Sequence, residues 1–137
     1  MATAPASTRP VPVYLLAGIR LFNGAAGLLA PESLIRRFDP DRDPPSPAAV
    51  YAFRLFGIRT VLLGLDLLTH SGERLRDDVR DGILIHASDT ATAAMLGING
   101  RVAPHTAVLT TLISAVNTAL AVSGTAALTD SPKGGRK

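Results

Sequence analysis

Six ionisable side chains lie inside stretches that are otherwise oily: Arg20, Arg54, Arg59, Asp66, His86 and Asp89. An arginine presents a planar fork of donors that fits carboxylate, phosphate or enolate oxygens. With His86 neutral, these residues leave one positive charge over, which suits the anionic end of an amphiphilic ligand. A neighbouring Arg favours an ionised carboxylate, so Asp89 reads as a base or a stabiliser of positive charge. His86 is the better proton-transfer group. The candidate catalytic residues are therefore His86 and Asp89, three apart on one helix face. Arg20, Asn23, Arg59, Asp66 and Asn117 are the candidate ligand-binding residues. Each has a structural alternative: buried ion pairs can fix helix register, Asn117 can bond across helices, and Arg54 can snorkel to the span's outer end. No further His or Glu completes a metal site around His86 and Asp89. No nucleophile elbow, phosphate loop or dinucleotide fingerprint is present, so no cofactor is implied.

The elements that must position these residues are apolar helices. From Pro10 to Pro31 the only charge is Arg20, and from His105 to Leu128 there is none. A soluble bundle needs a polar face on every helix, and these runs lack one. Spans are expected at residues 11–30, 49–69, 79–99 and 105–128, each near the ~20 residues that cross a bilayer core. The fold class is thus all-α: an integral membrane, antiparallel four-helix bundle over residues 11–128. Residues 1–10 are small, polar and Pro-rich, and read as disordered. Residues 129–137 read as a flexible basic tail. The first run reads as a span rather than a cleaved signal peptide, because Arg20 and Asn23 interrupt its apolar centre. PESLIRRF after Pro31 reads as an interfacial helix with Leu34, Ile35 and Phe38 toward the membrane and Arg36 and Arg37 toward phosphates. HSGERLRDDVR, from His70 to Arg80, reads as a charged connection in water, and GRVAP from Gly100 as a tight turn.

Basic residues outside the spans set the orientation. Arg9, Arg74, Arg76, Arg80, Lys133, Arg136 and Lys137 fall on one side, against Arg36, Arg37, Arg42 and Arg101 on the other. The richer side should be cytoplasmic, so both termini are expected inside the cell membrane. The net charge of +3 and pI near 10.0 come without a basic stripe, so nucleic acid is not an expected partner. With no Cys there is no thiol chemistry. Span midpoints place Arg20, Arg59, Asp89 and Asn117 at about one depth. Charges there cost at least ~2.5–3.5 kcal/mol each on insertion scales, so they should face inward and pair: Asp89 and Asp66 with Arg20 and Arg59. Gly24 and Gly27 share a stripe with Arg20 and Asn23, where small residues let helices approach.

GIRLFNGAAGLLAPE, RLFGIRTVLLGL and IHASDTATAAM together resemble a family of small bacterial four-helix membrane proteins, broadly DoxX-like, over most of Val13 to Gly97. The chain departs from the family at Thr60, where relatives tend to be acidic. The resemblance implies a membrane fold and supplies no activity. Two functions are expected to compete. In one, the Arg/Asp layer binds a lipophilic small molecule with a polar or anionic end, and could isomerise or cyclise it. In the other, the chain is a non-catalytic membrane subunit whose charges only hold helices together. Beyond the lipid bilayer, partners would be that ligand, a second copy or another membrane protein.

Overall fold

The computed structural model describes residues 9–41 and 43–130, which form five helices and, among the described residues, no strand. They are α1 (Val11–Leu29), α2 (Pro31–Phe38), α3 (Pro47–Thr69), α4 (Gly72–Ile98) and α5 (Pro104–Asp130). Their boundaries follow from local chemistry. Proline sits in the first turn of α1, α2 and α3, where its missing N–H would have had no helical partner. The Ser46 hydroxyl caps α3 by accepting from the Ala49 amide at 3.2 Å, satisfying one orphan donor. At the end of α4, Gly100 takes φ +62°. Its N–H reaches the Gly97 carbonyl at 3.0 Å and the next amide, Arg101, reaches Leu96 at 2.9 Å. These two hydrogen bonds around a left-handed glycine make the tight turn that GRVAP implied.

The helices pack chiefly as two pairs, α1 with α3 and α4 with α5. Glycines form the first seam. A Cβ on Gly24 would stand 2.7 Å from the Val61 amide nitrogen, and one on Gly57 would stand 2.7 Å from the Gly24 carbonyl oxygen. Gly27 faces Phe53 and Gly64 faces Leu21, so positions rise along α1 as they fall along α3, and the pair is antiparallel. The second pair is also antiparallel: Gly97 meets Ala107, Thr90 lies 3.5 Å from Thr118, and Gly82 faces Ala121. Val13 on α1 packs toward Gly124 on α5, and a small core of Val13, Leu16, Ala17, Leu67, Leu75, Val79 and Ala121 joins the pairs.

Three helices, α1, α3 and α5, are long and apolar enough to cross a membrane. Only 11% of the apolar window of α3 is buried within the protein. Phe22, Leu29, Tyr51 and Leu62 stand largely exposed, as apolar side chains facing lipid would. The hydroxyls of Thr110, Thr118 and Thr125 on α5 donate to carbonyls one turn back, at 2.8 to 3.0 Å, so these polar groups need no water.

The helices depart from the sequence expectations at several points. The stretch read as a charged connection is helical from Gly72, and α4 as a whole is too charged to count among the apolar spans. Leu75, Val79, Gly82 and His86 are its buried residues, and this stripe at helical spacing runs through the charges. Within α2, Ile35 is buried and Phe38 stacks on Phe53 at 5.8 Å between ring centres, so these side chains cover α3 as well as facing outward. Thr129 and Asp130 end α5 instead of starting a tail. The remaining expected tail, residues 131–137, and residues 1–8 of the expected disordered segment lie outside the described residues. Arg9, also expected to be disordered, donates to the His70 carbonyl at 2.9 Å.

Candidate functional site

Arg20 is the centre of the polar interior. It is 1% exposed, the largest fully buried side chain among the described residues. Helix α1 projects it between α3 and α4, where Gly82 leaves room: a Cβ there would lie 2.6 Å from an Arg20 terminal nitrogen. The guanidinium donates from Nε to His86 Nε2 at 3.2 Å, with a terminal nitrogen 3.1 Å from the same atom. Its other terminal nitrogen donates to the Leu63 carbonyl at 3.2 Å. One side chain thus ties α1 to α3 and α4.

This geometry fixes the state of His86. Arginine can only donate, so Nε2 must offer its lone pair, and the imidazole is neutral with its proton on Nδ1. That nitrogen lies 3.9 Å from Asp89 Oδ2, too far for a hydrogen bond but close enough for the N–H dipole to face the carboxylate. His86 is buried, while the Asp89 side chain is 52% exposed. The line Arg20–His86–Asp89 therefore runs from the core to the flank between α3 and α4. Arg59 lies exposed on α3.

The inward Arg–Asp pairing expected from the sequence is absent among the described residues. Arg20 has no carboxylate within 4.0 Å, and neither do Arg54 and Arg59. Asp66 instead approaches His70 Nε2 at 3.8 Å, and His70 Nδ1 lies 2.7 Å from Asp78. In the sequence His70 stands only as the first residue of a charged connection. It is the hub of a polar knot at the α3–α4 turn, with Asp66, Asp78 and Arg9 around it. The signal available was the eight-residue spacing of His70 and Asp78 across a two-residue turn. Asn117 is buried on α5, 6% exposed, and its Oδ1 has no hydrogen-bond partner. Asn23 sits on the α1 face opposite that residue, away from Arg20's contacts. No group of three metal-ligating side chains converges among the described residues.

No protein-family model, curated protein or solved structure matches this chain. Its chemistry must therefore be read from the site itself: a buried cation, a neutral imidazole with a fixed tautomer, a half-exposed carboxylate on α4 and an exposed guanidinium on α3.

Proposed function

We propose that the chain crosses the inner membrane four times, α4 included, as an antiparallel bundle with both termini cytoplasmic. On this reading it binds the polar or anionic end of a lipophilic small molecule at the α3/α4 flank, in keeping with the DoxX-like resemblance. The observation that carries the reading is a buried Arg20 with no carboxylate beside it, linked through His86 to a flank where Arg59 and Asp89 stand unpaired. In hydrocarbon, two exposed opposite charges that fail to pair are costly, and a ligand with an anionic end and a polar hydrogen would satisfy both. Asp89 would accept a proton from such a ligand, Arg59 would hold its oxygens, and the His86 Nδ1–H would steady the carboxylate. That set could support an isomerisation or cyclisation in which one carbon loses a proton and another gains it.

The test is mass spectrometry of the organic extract of purified protein. Asp89→Asn and Arg59→Lys should accumulate in membranes like the parent but lose a co-purifying lipophile. An extract unchanged by both variants would rule the flank out. The three-way clasp of Arg20 favours a second reading, a purely structural membrane subunit. That reading expects Arg20→Met or His86→Leu to lower the amount of folded protein while Asp89→Asn and Arg59→Lys change neither folding nor the extract.

A further inference from the structure

A second cleft lies between α1 and α5, separated from the α3/α4 flank by the Arg20 clasp. It has a volume of about 460 Å³ and is lined by Gly18, Ile19, Phe22 and Asn23 from α1 and by Leu112, Ile113, Val116 and Asn117 from α5. It is a groove open along one side, as a site entered from the lipid would be, rather than an enclosed cavity. No charged side chain lines it. Both asparagines lack a side-chain hydrogen bond among the described residues, and Asn117 is 94% buried with its Oδ1 unpartnered. Both flanking helices are long and apolar enough to cross a membrane. Inside a bilayer no water would reach these amides, and an unsatisfied amide there costs several kcal/mol.

We infer that the α1/α5 cleft binds a neutral lipid whose apolar chain ends in a hydroxyl. The Oδ1 of Asn117 is sealed beneath the cleft, so the end of its amide that reaches the cleft, with the half-buried Asn23, is what calls for a hydrogen-bonding head, and the uncharged walls exclude an ionised one. An amide turned by a half-rotation presents either its donor or its acceptor. A hydroxyl does both at once, so it serves Asn117 in either orientation and Asn23 with its remaining function. A carbonyl head would serve only the donors. The inference shares with the proposed function only its membrane setting, not its flank chemistry.

The experiment labels the full chain, reconstituted in lipid nanodiscs, with a photoreactive long-chain alcohol. Competitors are the unlabelled alcohol and the matched fatty acid, methyl ester and alkane. Label should fall on the segments carrying Phe22 and Ile113. The alcohol should compete about 10-fold better than the others, the ratio expected for one hydrogen bond to an amide. Asn117→Leu should erase that preference. Gly18→Leu should block labelling altogether while leaving Asn117 intact, because nothing lies within 4 Å of a Cβ at Gly18. Equal competition by the alkane, or stronger competition by the fatty acid, would overturn the inference. So would a stable dimer in which a second copy covers the cleft and excludes the label. Carbonate extraction separates this from failure of the membrane reading: protein released into the wash defeats both, whereas retained protein without alcohol preference defeats only the cleft.

Discussion

Replacing His86 with leucine tests the buried clasp most directly. The change removes the acceptor for two of the three hydrogen bonds of Arg20 while keeping a side chain of similar bulk. Arg20 stays buried and charged, with the Leu63 carbonyl as its remaining partner. Breaking a buried charged contact from one side costs about 3–5 kcal/mol. The surviving bond to Leu63 places His86→Leu near the lower end of that range. His86→Gln retains an acceptor and should cost roughly 1 kcal/mol, the scale of one imperfect hydrogen bond. The double change Arg20→Met with His86→Leu removes the charge together with its partner, and apolar replacement of a buried polar pair is often neutral or better. It should therefore be more stable than His86→Leu alone. The assay is unfolding in mixed micelles with a rising fraction of denaturing detergent, followed by far-ultraviolet circular dichroism, since the chain has no Trp to report by fluorescence. A His86→Leu protein that unfolds with the parent would refute the clasp, as would a double variant whose loss equals the sum of the single losses.

Other substitutions test the scaffold in the same assay. Gly57→Ala should destabilise by about 2–3 kcal/mol, because its Cβ would meet backbone atoms of Gly24, Gly27 and Leu28 that cannot swing aside. Gly18→Ala, with open space around it, should stabilise by ~0.5–1 kcal/mol through helix propensity alone. Gly100→Ala should cost roughly 1 kcal/mol although nothing touches the site, since φ there is +62°. Ser46→Ala should cost about 1 kcal/mol by leaving the Ala49 amide uncapped.

The long apolar runs, the α2 turn after Pro31 and the glycine stop at Gly100 were legible because each depends on a short-range property of the chain. Oiliness over about twenty residues, a proline's missing donor and a left-handed backbone act where they are written. The start of α4 was obscured because charge was taken as a sign of loop. Its buried stripe, from Leu75 to His86, keeps helical period while the charged residues project outward, so periodicity outweighed composition. The partner of Arg20 was harder to read. It depends on the relative register of α1 and α4, helices separated by more than forty residues, and on a glycine at position 82 that opens space for the guanidinium. Matching residues by depth placed Asp89 near Arg20 but could not decide that His86 would come between them. Asp66 faces the other way, toward His70, which lies one helical turn further on at the C-terminal end of α3.

The pairing of helices has a mechanical corollary. Each pair is fastened along its length by small residues, whereas α3 meets α4 sparsely and α1 meets α5 around a cleft. Such a molecule resembles two stiff boards laid together, and the joints between boards give before the boards bend. Both candidate sites lie along those joints, and the Arg20 bolt passes between them.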